Sequence, residues 1–228
     1  MTSTEISLPA PTAEQIAPSQ QGLQISLGLI LTLVAGSLPY PVWIDEFAST
    51  THLILNELIY WALVAATLAY VVKVERRPLA SIGLRRPSLR DGLAAFAIAV
   101  ATIAGLAALY LVVLPALHLD ETQQVDKLTS APTWWLAVSV LRAGVSEEVL
   151  FRGYPIERLQ EWSGSRAFAA IVPLVVFTFA HVGPWGWSHL LVAAFGGAML
   201  TVLYLWRRNL WSSMLAHCLI DGVAVLAS

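Results

Sequence analysis

Five ionisable side chains stand out inside, or at the ends of, apolar runs where water is scarce. Glu147 and Glu148 end the fourth apolar run, within Arg142-Ala-Gly-Val-Ser-Glu-Glu-Val-Leu-Phe-Arg152, His181 ends the fifth, in Phe177-Thr-Phe-Ala-His181, and His217 stands four residues before Asp221 in the last. An ionisable group inside a membrane helix costs a few kcal/mol or more, so each marks a functional position by default. Glu148 and Arg152 are spaced i,i+4 with the acid first, the favourable order for an ion pair that neutralises both near one interface. Glu147 leaves the same helix about 100° away, so it cannot face the same partner as Glu148 and needs a role of its own. A sequestered carboxylate is suited to take a proton from water, and a histidine from another helix could hold that water. His217 and Asp221 share one helix face and could act together on a substrate oxygen. A base for the water and a donor for the oxyanion suffice for peptide hydrolysis without a protein nucleophile.

The elements that must position these residues follow from composition. Of the 228 residues only 12% are charged and 57% are hydrophobic, where a soluble chain carries about a quarter charged. A membrane helix needs roughly 20 apolar residues, and runs at about 23–44, 52–72, 92–114, 133–151, 167–182, 188–206 and 210–227 supply seven candidate spans. The expected fold is therefore all-α, a polytopic transmembrane bundle of about seven spans occupying 23–228. The polar residues 1–22, without Lys or Arg, read as a flexible tail lacking the positive region of a cleavable signal. The Gly183-Pro184 pair is a candidate break near the fifth and sixth spans. The formal net charge of -2 offers no field for nucleic acid, and the single cysteine, Cys218, excludes an intrachain disulfide.

Orientation follows from the basic residues. With the N-terminus cytoplasmic, all of the 13 Lys and Arg except Lys127 and Arg142 fall in inner loops, Arg152 and Arg158 among them. The expected location is a multi-pass protein of a prokaryotic inner membrane. Arg142, within the fourth span, either pairs with an acid inside the bundle or snorkels. His52, His118 and His189 are expected at interfaces, and Cys218 as a buried structural thiol.

These residues together resemble the CPBP group, which comprises CAAX-processing endopeptidases and bacteriocin-processing or immunity relatives. The likeness rests on Glu147-Glu148-x-x-x-Arg152, Phe177-x-x-x-His181, and Gly196 through Trp206-Arg-Arg-Asn-Leu-Trp211 into His217-x-x-x-Asp221, over roughly 130–226. The basic loop Leu84-Arg-Arg-Pro87 also looks like the group. The resemblance implies that Glu147 and His181 activate water while His217 and the fourth-motif residue stabilise the oxyanion. It also implies no metal cofactor, membrane lipid as surroundings, and a membrane-associated peptide or protein substrate, with prenylated CAAX proteins among the candidates. Prenyl-protein endopeptidases typically carry Asn in the last motif where this chain has Asp221, as many bacterial members do. An ionised Asp cannot donate to an oxyanion, so Asp221 is either protonated or orients His217.

Other chemistries fit parts of the pattern. Glu147, His181 and His217 form a possible zinc ligand set, although His-Glu-x-x-His is absent. Ser146 with His217 resembles the rhomboid serine dyad, but Glu147 replaces the glycine expected after that serine. A non-catalytic scaffold or bacteriocin-immunity binding protein would use the polar cluster for packing alone. A proton-coupled transporter would also place Glu and His in the membrane, but no internal repeat is apparent.

Overall fold

In a computed structural model, residues 18–38, 50–119 and 131–227 are described. Among the described residues the fold is an all-α membrane helical bundle of seven helices, with no strand. We number them α1 (18–37), α2 (Thr50–Val74), α3 (Leu89–Ala116), α4 (133–163), α5 (Arg166–Trp185), α6 (Trp187–Arg207) and α7 (Leu210–Ala227). Helices α2, α3, α5 and α6 are long and apolar enough to cross a membrane, and Leu210–Val225 of α7 is a shorter apolar helix. Large apolar side chains such as Leu93, Phe96 and Leu111 of α3 remain exposed, as a lipid-facing surface requires.

Three departures from the sequence reading have physical causes. Helix α1 begins at Pro18, inside the expected tail, where proline in a first turn forfeits no intrahelical bond. Helix α4 does not stop near 151. It passes through a π-helical turn, Val149–Gly153, into Tyr154–Ser163, so Arg152 and Arg158 lie buried on a helix rather than in a loop. Gly153 permits this: a Cβ there would lie 2.6 Å from Leu210 Cδ1 and 2.8 Å from the Ile82 carbonyl oxygen. The third departure is the turn between α5 and α6. Gly183 and Pro184 belong to the last turn of α5, and the chain reverses at Gly186, whose φ of 84° and ψ of 175° suit glycine alone.

The polar extension of α4 is the anchor of the basic end. Glu75 accepts from Arg158 Nη2 at 2.6 Å and Nε at 2.9 Å, and from the Tyr154 hydroxyl at 2.8 Å. Burial pushes the Tyr154 phenol well above its ordinary range, and the Glu75 carboxylate pushes it further. Arg208 pairs with Glu157 at 2.7 Å, and Arg207 with Asp91 at 2.9 Å. Asp91 in turn completes a capping box with Ser88 at the start of α3. The Leu210 amide donates to the Gly83 carbonyl at 2.8 Å, joining the loop of Arg85 and Arg86 to the α6–α7 corner. Away from this end, Ala94, Ala95 and Ala99 of α3 pack with Ala216 and Ile220 of α7, small residues that let the helices approach closely.

Candidate active site

Where α1, α3, α5 and α7 end and α4 and α6 begin, the bundle holds a cavity of about 290 Å³. Its wall includes Ser37, Tyr110, Ser139, Trp185 and Val225, and the basic end lies at the opposite pole of the helices. Glu147, His181, His217 and Asp221 all face it. Helix α4 brings Glu147, the last turn of α5 brings His181, and α7 brings His217 with Asp221 one turn later. Glu147 Oε2 is 4.0 Å from His181 Nε2 and 3.8 Å from His217 Nε2. His217 Nε2 is also 3.4 Å from Asp221 Oδ2.

The partners of each imidazole define what it can do. His181 Nδ1 is 2.7 Å from the Phe177 carbonyl oxygen, which only accepts, so the proton sits on Nδ1. Nε2 of a neutral His181 is then an acceptor facing the Glu147 carboxylate, another acceptor. Two acceptors 4.0 Å apart do not bond to each other, but both can accept from one water. His217 differs. Its Nδ1 is 2.8 Å from Glu148 Oε1 and its Nε2 faces Glu147 and Asp221, so each contact calls for an N–H on the ring.

Glu148 and Arg152 stand behind this wall. Arg152 Nη1 donates to Glu148 Oε1 at 2.9 Å and Nη2 to the Gly197 carbonyl at 3.3 Å, while its guanidinium lies 4.1 Å from the Phe177 ring centroid. The pair is the one the spacing suggests, but it is not separate from the site: Glu148 also holds His217. The expectation that adjacent glutamates cannot share a partner is therefore corrected. One imidazole meets both, because its two nitrogens lie on different edges of the ring and α7 threads His217 between the diverging carboxylates.

Two further residues of the wall were not among the site residues expected from the sequence. His189, expected at an interface, is buried against Trp185, with ring centroids 4.8 Å apart, and lines the cavity. No local pattern signals this, because the contact spans the reversal at Gly186. Arg142 also lines the cavity, and it pairs inside the bundle rather than snorkelling: Nε is 3.5 Å from Glu57 Oε1, and its guanidinium is 4.5 Å from the Tyr60 ring centroid. Glu57 had a signal, since it is an acid inside an apolar run. Cys218 packs against Gly144 and lies 3.8 Å from the Val140 carbonyl oxygen. Ser146 is buried off the cavity wall, and among the described residues its Oγ has no hydrogen-bond partner, so they form no Ser–His dyad. Among the described residues, no group of three His, Cys, Asp or Glu side chains is arranged to hold a metal ion.

Comparison with known proteins finds a likeness over the segment that carries this cluster. Residues 129–223 match the family model described as type II CAAX prenyl endopeptidase Rce1-like. No curated protein and no solved structure matches the chain. The matched segment carries Glu147, Glu148, Arg152, His181, His217 and Asp221, and over it the chain is similar to the Rce1-like type II CAAX prenyl endopeptidases.

Proposed function

We propose that the chain hydrolyses a peptide bond of a membrane-associated substrate with water activated by Glu147. The observation that carries this reading is the Glu147 carboxylate on the cavity wall, 4.0 Å from His181 Nε2 and 3.8 Å from His217 Nε2. A water held between Glu147 and His181 attacks the carbonyl carbon, and its proton passes to Glu147. The negative charge gathering on the carbonyl oxygen is met by an N–H of His217. Asp221, an acceptor when ionised, orients His217 rather than donating to the oxyanion. Collapse of the intermediate breaks the C–N bond, and Glu147 returns its proton to the leaving amine. The products are a carboxylate and an amine, with one water consumed. Glu148 and Arg152 position His217 from behind.

The substrate class in this reading is a peptide presented from the membrane, with prenylated CAAX-type peptides among the candidates. The basic end, anchored by Glu75, Asp91 and Glu157, is assigned to the cytoplasm by its Lys and Arg. That makes the chain a multi-pass inner-membrane protein with a cytoplasmic N-terminus.

The test compares wild type with Glu147→Gln in detergent, on prenylated CAAX peptides and unprenylated membrane peptides, read by mass spectrometry with and without chelator. Cleavage by wild type in both conditions, with a loss of about a hundredfold or more in the variant, is the expected result. Equal cleavage by both proteins refutes the role of Glu147. Loss on chelation moves the chemistry to a metal, and no cleavage of any peptide by wild type favours a scaffold.

A further inference from the structure

The loop between α2 and α3 carries positive charge that the ion pairs of its pole do not use. Arg77, Arg158, Arg207 and Arg208 each meet a carboxylate. Among the described residues, Arg85, Arg86 and Arg90 are exposed and meet none. Asp91, the one acid between residues 78 and 91, is engaged by Arg207 Nε at 2.9 Å and Asn209 Nδ2 at 3.3 Å. Arg85 and Arg86 line a groove together with Leu79, Leu84, Pro87 and Trp211, two guanidiniums beside an apolar floor.

The groove is held in shape by the bundle beneath it. Ile82, fully buried, fixes the loop to the helices. Gly83, with φ of 86°, sits so close over Tyr204 that a Cβ would lie 2.7 Å from the phenol oxygen. Asn209 joins the two walls: its Nδ2 donates to the Arg86 carbonyl at 3.4 Å, and its Oδ1 accepts from the Trp211 amide at 3.0 Å. Arg85 Nε donates to the Ala80 carbonyl at 3.3 Å, which aligns the guanidinium and leaves Nη1 and Nη2 for a ligand.

We propose that this groove binds an anionic phospholipid, with the phosphate between Arg85 and Arg86 and the first methylenes of an acyl chain against Leu84, Pro87 and Trp211. Guanidinium forks match phosphate oxygens, and basic residues next to a membrane span attract anionic headgroups. The apolar surroundings favour a lipid over free phosphate. Leu89, Leu93, Phe96 and Val100 of α3 are all exposed, and their i,i+3 and i,i+4 spacing puts them on one face, an apolar strip that starts three residues after Arg86. Trp211 is half-exposed, as an aromatic ring at a membrane interface is. The groove lies at the opposite pole from the hydrolytic cavity, so this assignment does not depend on the reaction proposed there.

The probe is phosphatidylglycerol added to the delipidated full-length protein in neutral detergent, compared with phosphatidylcholine of the same chains, with bound lipid counted by native mass spectrometry. Wild type is expected to bind phosphatidylglycerol about tenfold or more tightly than phosphatidylcholine. Arg85→Gln with Arg86→Gln should lose that preference. Lys73→Gln with Arg166→Gln, two exposed cations of the same pole outside the groove, should keep it. No preference in wild type, a preference that survives the Arg85 and Arg86 changes, or one lost equally in the Lys73 and Arg166 pair overturns the proposal. Glycerol phosphate, the headgroup without its chains, should not displace the lipid. Displacement at millimolar concentration would make this a site for free phosphate and overturn the lipid assignment. A measurement that leaves both arginines in place uses phosphatidylglycerol with brominated acyl chains. It should quench a share of the tryptophan fluorescence of wild type that is missing from Trp211→Phe, and identical quenched intensity in the two proteins overturns the proposal as well.

Discussion

Arg152 joins three helices through one guanidinium. It reaches Glu148 within α4, the Gly197 carbonyl of α6 and the Phe177 ring of α5, and both members of the pair are essentially unexposed. A buried pair is poor evidence of net stabilisation, but breaking one is costly because the remaining charge is stranded. Arg152→Ala should therefore lower stability by about 3–5 kcal/mol, measured as a fall in the unfolding midpoint in detergent. Glu148→Gln with Arg152→Met should recover most of that loss and still cleave poorly, because His217 Nδ1 then faces a neutral amide. Recovery of both stability and cleavage would show that Glu148 does not position His217.

Helix α4 is the element on which the site depends. Its apolar first half supplies Arg142 and Glu147, its π-helical turn carries Arg152, and its polar second half ties the basic end together through Arg158 and Glu75. Its crossing with α7 is close because Gly144 has no Cβ. One built there would collide with Cys218 Sγ and lie 3.3 Å from the Met214 carbonyl oxygen. Gly144→Ala should push α7 outward, moving His217 away from Glu147 and Glu148. The expected loss is about 1–3 kcal/mol of stability with a disproportionate loss of cleavage. Cys218→Ala in the same chain should restore part of both. Comparison of thermal midpoints and rates for the single and paired variants checks this, and an unaffected Gly144→Ala would mean the crossing is slack.

Across the molecule, charge and cavity lie at opposite poles. The Lys and Arg ion pairs gather at one end of the bundle, whereas the cavity runs from Phe151 and Gly197 in the interior to Ser37, Trp185 and Val225 at the other. Leu150, Leu203 and Tyr204, off the cavity wall, are fully buried. If the basic end is cytoplasmic, the cavity is reached from the opposite face. In a Cys218→Ala background, Ser37→Cys should react with a membrane-impermeant thiol reagent in intact cells, while Arg208→Cys should react only in inverted vesicles. The reverse pattern would turn the chain over and present the cavity to cytoplasmic substrates.

The all-helical membrane class, the number of apolar runs and the polar residues set within them were legible because hydropathy, residue type and i,i+4 spacing are local properties. The likeness over 130–226 added the order of the motifs. Residues 39–49 and 120–130, which include part of the first expected span and the acidic outer loop, lie outside the described residues. What only the tertiary structure decided is which side chains meet. Arg142 found Glu57, 85 residues earlier, and His217 came to rest between two neighbouring glutamates. His189 turned inward at a glycine reversal. None of these has a sequence period, because each depends on how one helix is rotated and seated against another, and in a bundle that is set by the packing of all the helices at once.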